Sequence, residues 1–200
     1  MKQPETFSTQ LEQWLKSSRQ KTLGDLISVF GEKSFGVMLL ILMILPALPI
    51  PTGGITHVFE IVAMLIGLEM VLGLRTIWIP RWALIKNVSG IAESKVMHAL
   101  TKKLRWIEKY SRPRMGRLLD NTQFLRLVGL LVIGFSLTAF LSPPFSGLDT
   151  IPSMAVVLLS LAIILGDVVL AAVGTIVGLI GVGLVVFLGK VIVDAINRFI

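Results

Sequence analysis

The sequence predicts an all-α polytopic membrane protein: two pseudo-repeated, Pro/Gly-broken helix hairpins, a C-terminal membrane helix and amphipathic surface helices. Three observations carry that reading. The 200-residue chain is 54% hydrophobic and only 16% charged, with a mean hydropathy of +0.83, too apolar for a soluble domain of its size. Two breaks interrupt long apolar runs, Pro46-Ala-Leu-Pro-Ile-Pro-Thr-Gly-Gly54 and Ser142-Pro-Pro-Phe-Ser-Gly147. Proline lacks the N–H a helix needs and glycine is free to leave helical geometry, so neither run continues through its break. An offset of 94 residues lays Pro49 on Pro143, Thr52 on Ser146, Gly53 on Gly147 and Thr56 on Thr150, with apolar helices on both sides of each break.

Residues 1–33 read as amphipathic helices. Phe7, Leu11, Trp14 and Leu15 share a face, and Thr22-Leu-Gly-Asp25 fits a capping box opening a short helix that Gly31 ends. Such segments lie on a membrane more often than they cross it. With no short apolar core before a small-residue site, the sequence predicts no cleaved signal peptide. The first hairpin occupies residues 34–74, as helices over Ser34–Ile50 and Ile55–Leu74. The loop between them is so short that they run antiparallel, either spanning or re-entrant. Residues 75–123 form a basic interfacial linker. Trp78-Ile-Pro-Arg-Trp82 sets aromatic rings beside cations as an interfacial anchor does. Val96, Leu100, Leu104 and Ile107 make the apolar stripe of a surface helix, followed by a turn at Ser111-Arg-Pro113. The second hairpin covers 124–166, with helices over Phe124–Leu141 and Ile151–Leu165, the latter capped by Asp149 or Thr150 and with Pro152 in its first turn. Residues 167–200 hold a last membrane helix over Val168–Val193. Its Ala171, Gly174, Gly178 and Gly181 share one small-residue face, suited either to a homodimer seam or to packing within the chain.

The charge is concentrated. From Arg75 to Arg117 there are eleven Lys/Arg against Glu93 and Glu108, within a net charge of +7. Beside membrane segments such a stripe reports orientation and contact with anionic lipid, not nucleic acid, and places the linker on the cytoplasmic side of the inner membrane. A linker that does not cross brings both hairpins in from that side, giving parallel repeats. No cysteine is present, and the sequence carries no phosphate-binding glycine loop, zinc-type histidine pair or nucleophile motif. An enzyme, a cofactor and a metal site are therefore not expected.

The stretches Gly31-Glu-Lys-Ser-Phe-Gly36, Leu45-Pro-Ala-Leu-Pro-Ile-Pro-Thr-Gly53, Trp78-Ile-Pro-Arg-Trp82, Tyr110-Ser-Arg-Pro-Arg114 and Thr150-Ile-Pro152 occur in this order over nearly the whole chain. Together they resemble the ExoD family of bacterial membrane proteins, named for exopolysaccharide synthesis. The second break reads Ser142-Pro-Pro-Phe145, where that family more often carries Pro-x-Pro-Phe. The resemblance implies a link to surface polysaccharide and supplies no catalytic residues.

Ionisable groups in the apolar segments are few, and a carboxylate in hydrocarbon is costly enough to be a functional candidate. His57 and Glu60 stand three apart on one helix face just past the first break. Thr52, Gly53, Gly54 and Thr56 at that break, and Ser146, Gly147, Asp149 and Thr150 at the second, would line a binding site for a small polar solute. Two helices begin there, and their free N–H groups suit an anionic end while Glu60 and Asp149 suit a cationic one. A zwitterionic or basic amino acid such as arginine fits both. Glu69 and Asp167 are candidates for an ionisable relay, against simpler roles at an interface and in a turn, just as Asp149 could be only a helix cap. Transport of a solute is the leading expectation, and a non-catalytic membrane scaffold of the exopolysaccharide machinery is the alternative.

Overall fold

Apart from one isolated bridge between Thr22 and Asn87, all regular structure among the described residues is helical. The computed structural model describes residues 6–17, 21–49, 55–87, 89–92, 95–110, 121–143 and 146–199. In chain order they form α1 (Phe7–Lys16), α2 (Leu23–Phe30), a 3-10 turn (Gly31–Lys33), α3 (Ser34–Met43) and α4 (Thr56–Leu72). The linker holds α5 (Arg81–Leu84), α6 (Ser89–Ala92) and α7 (Lys95–Tyr110), and α8 (Thr122–Leu141), α9 (Thr150–Leu165) and α10 (Val168–Phe199) follow. Three stretches are long and apolar enough to cross a membrane, Leu23–Met43, Thr122–Leu141 and Val168–Val191, which makes this a multi-pass membrane protein.

Several boundaries differ from the sequence reading, each for a local reason. Thr22 does cap α2: its hydroxyl accepts from the Asp25 N–H at 3.1 Å while the Asp25 carboxylate accepts from the Thr22 N–H at 3.3 Å. Gly31 then closes α2 at φ 53°, the 3-10 turn follows, and α3 begins at Ser34, so that residues 23–43 together make one stretch long and apolar enough to cross a membrane. The first hairpin helix ends at Met43, not Ile50, and continues only as turns to Ala47. Pro46 is the cause, since its ring collides with the carbonyl four residues back and it has no N–H to donate. At the other extreme α10 runs 32 residues to Phe199, beyond the expected end at Val193. The turn expected at Ser111-Arg-Pro113 lies outside the described residues.

The core is a four-helix bundle in which each hairpin supplies packing for the other. Gly129 of α8 sits so close to α4 that an added Cβ would lie 2.7 Å from the Gly67 carbonyl oxygen and 2.8 Å from the Met70 Cβ. Gly36 of α3 sits likewise on α9, its added Cβ 2.7 Å from the Ser160 carbonyl oxygen. At the far end of α4 the His57 and Phe140 rings stand 5.1 Å apart, while Gly73 lies by Thr122 and Arg126. The start of α4 thus meets the end of α8, and the two are antiparallel. Both breaks therefore fall at one end of the bundle and the basic linker at the other. At that linker end α1 is tied to α7, where Glu108 accepts from the Ser8 N–H at 3.0 Å and from its hydroxyl, and Arg105 pairs with Glu12. Phe7, Leu11, Trp14 and Leu104 are buried between these helices and the bundle, while Lys102, Lys103 and Trp106 face outward.

Candidate functional site

Glu60 lies one turn into α4 from the first break, has no exposed surface, and takes a 2.8 Å hydrogen bond between its Oε2 and the Nδ1 of His57. The i, i+3 spacing puts both side chains on one face of α4, with Glu60 turned fully inward. His57 is the outer member, its side chain 28% exposed and its ring edge-on to Phe140. The second carboxylate oxygen of Glu60, Oε1, is buried with no hydrogen-bond partner. Asp149 stands within electrostatic reach of Glu60, so the structure brings together groups from both breaks. Asp149 occupies the N-cap position of α9 but makes no capping hydrogen bond with its side chain, which corrects the reading of it as a simple cap. Its backbone is already helical there, at φ −65° and ψ −24°, which is not the extended geometry a capping side chain uses. Thr56 is buried beside the pair, Thr150 opens α9, and Ser146 and Gly147 (φ 69°) form the exposed turn before it. Thr52, Gly53 and Gly54 lie outside the described residues.

Two serines that the sequence reading passed over share this region. Ser153 in the first turn of α9 and Ser136 on α8 are fully buried, and each holds a hydroxyl without a partner. Leaving a buried polar group unpaired costs about 1–3 kcal/mol, so three of them at one end of an apolar bundle call for water or a solute. The fourth such group, Ser34 Oγ, stands at the start of α3 by the linker.

The family model described as "Exopolysaccharide synthesis, ExoD" matches residues 7–187. This chain belongs to the ExoD family. Protein ExoD of Rhizobium meliloti is 33% identical over 158 residues, covering 76% of this chain and 64% of that protein. An uncharacterized protein of Synechocystis is 25% identical over 134 residues, 67% of this chain and 62% of the relative. The matches thus span less than two thirds of either relative. No solved structure matches the chain.

The other two candidate acids of this ExoD-family chain, Glu69 and Asp167, hold structure at the linker end. Glu69 Oε2 accepts from the Trp78 N–H at 2.8 Å and so fastens the aromatic linker to the end of α4. Arg75, next to that end of α4, pairs with Glu32 at 3.7 Å. Asp167 caps α10 by accepting from the Val169 N–H at 2.9 Å. Neither is gathered with Glu60. The small-residue face of α10 packs within the chain: an added Cβ would meet Leu158 and Ala155 at Gly174, the Phe135 ring at Gly178 and Pro152 at Gly181, and Ala171 is buried in the core. Of the two uses foreseen for that face, helix packing inside one chain is the one the structure takes. Among the described residues no cluster of three His, Asp or Glu side chains could hold a metal ion.

Proposed function

We propose that this ExoD-family chain carries a small cationic or zwitterionic solute across the inner membrane in support of exopolysaccharide synthesis. The His57–Glu60 pair serves as its binding and proton-handling centre. The observation that carries the reading is Glu60: a fully buried carboxylate with one oxygen unpartnered, at a helix break in an apolar bundle. The charged groups within reach, Asp149 and Glu60, are acids, and α8 beyond Arg126 and α10 up to Gly189 contribute no lysine or arginine. A cation is the complement of such a site.

On this reading both hairpins enter from the cytoplasmic side and their helices cross the hydrocarbon, with the breaks at its far edge. The surroundings of the breaks are apolar in two respects. Gly181 of α10 abuts Pro152 at the second break, yet the first charge on α10 is Lys190, nine residues or roughly 14 Å further along. Exposed side chains flanking the breaks are apolar too, among them Leu45, Leu48, Ile55, Val58 and Leu141.

The test is uptake of labelled arginine into liposomes by wild type, Glu60→Gln and Asp149→Asn. Saturable uptake by wild type, abolished by Glu60→Gln in protein that melts normally, is the expected result. Equal uptake by all three removes the carboxylates from the mechanism. A silent wild type that co-purifies with polysaccharide-synthesis proteins would favour the scaffold role.

A further inference from the structure

The helices of the two hairpins correspond at an offset of 93 residues, one fewer than the breaks themselves. That offset carries Gly36 onto Gly129 and Gly67 onto Ser160, so the close crossing of α3 on α9 becomes the close crossing of α8 on α4. It also carries Gly73 (φ 83°), which ends α4, onto Gly166 (φ 65°), which ends α9. Under the same offset Glu60 falls on Ser153. Both are fully buried and both hold an oxygen without a partner.

Ser153 stands one helical turn from Asp149, to whose carbonyl its N–H donates at 3.0 Å, so the two share a face of α9, and Ser153 is fully buried on it. Ser136 arrives from α8. It lies between Ile133, which contacts α4 at Gly67, and Phe140, which contacts His57, and is thereby level with Glu60 on the same antiparallel pair. The charged and titratable groups around this point are Glu60 and His57 from α4 and Asp149 from α9. The facing parts of α3 and α8 bear none.

We propose that Ser153 and Ser136 complete the solute site from the second hairpin, so that one ligand is held between the two repeats. Its cationic amine sits on Glu60, and an acceptor group, the carboxylate of an amino acid, takes hydrogen bonds from the two hydroxyls. This rests on the reading of Glu60 as a solute-binding residue and adds the groups that select the ligand's other end.

The test uses the full chain in detergent and measures how arginine protects Glu60 from a hydrophobic carbodiimide, which modifies buried carboxyls. Variants Ser153→Ala and Ser136→Ala are compared with Ser34→Ala, the same chemistry at the opposite end of the bundle. Thermal melts confirm that each is folded. Each of the first two should raise the half-protecting arginine concentration about tenfold, the loss of one charge-assisted hydrogen bond, while Ser34→Ala leaves it unchanged. Protection in wild type that is unaltered by Ser153→Ala and Ser136→Ala overturns this inference and spares the role of Glu60. Absence of protection in wild type overturns both. Protection without uptake in liposomes supports the site and removes transport.

Discussion

Gly129→Ala is the sharpest test of the packing on which the site depends. The added methyl would stand 2.7 Å from the Gly67 carbonyl oxygen and 2.8 Å from the Met70 Cβ. Both obstacles are fixed to the α4 backbone, so neither can rotate aside. An ordinary carbon–oxygen contact is about 3.3 Å, so α8 must retreat by roughly 0.6 Å along the whole crossing. Strain of this kind costs about 1–3 kcal/mol. Alanine is also the better helix former by about 1 kcal/mol, and a control has to remove that gain. Gly134, in the same helix, has nothing within 4 Å of its added Cβ and supplies it. Gly129→Ala should therefore unfold more easily than Gly134→Ala by about 1–3 kcal/mol in a denaturation series in micelles. Gly36→Ala, blocked by the Ser160 carbonyl, should behave as Gly129→Ala does. If the two α8 variants unfold together, the close crossing of α4 and α8 is not what holds the hairpins.

Two further predictions address α10 and orientation. Gly178→Ala drives a methyl into the Phe135 ring, so the variant should lose stability and Phe135→Leu should restore part of it. Simple addition of the two losses would place α10 elsewhere. Because the chain has no cysteine, single cysteines at the exposed Lys102 and Lys103 can report topology cleanly. They should resist a membrane-impermeant thiol reagent in intact cells and react after permeabilisation, and ready labelling from outside would reverse the orientation.

What was legible in the sequence was local. Apolar runs, the proline and glycine breaks and the Thr22 capping box act over a few residues, and their elements stand where they were expected. Pro46 shows the limit, because a proline acts backward through residue i−4 and the apolar stretch before it reads the same as helix or turn. The register of the repeat shows another. Aligning the prolines gives 94, which pairs Glu60 with Met154, 44% exposed, whereas the helices follow 93 and pair it with the fully buried Ser153. One residue turns a helix face by about 100°, so this small slip hid half of the candidate site. The partner of the small-residue face of α10 was not legible at all, since glycine spacing permits close approach without naming what approaches.

The repeat explains why the bundle is built as it is. Lipid offers apolar side chains nearly the same environment as a helix neighbour, so association rests on close packing. The first helix of each hairpin finds that packing on the second helix of the other, through Gly36 on Ser160 and Gly129 on Gly67. Neither hairpin makes these crossings alone. α10 then breaks the symmetry, covering α9 at Pro152, Ala155 and Leu158, whereas the corresponding α4 helix keeps an outer face of Val58, Ile61, Leu65, Leu68 and Leu72 bare. The two halves of the candidate site differ accordingly. Ser153 is sealed beneath the covered helix, while Glu60 lies behind a partly exposed His57 on the uncovered one. A carboxylate that must exchange its counter-charge needs such an outlet, and a hydroxyl that only orients a ligand does not.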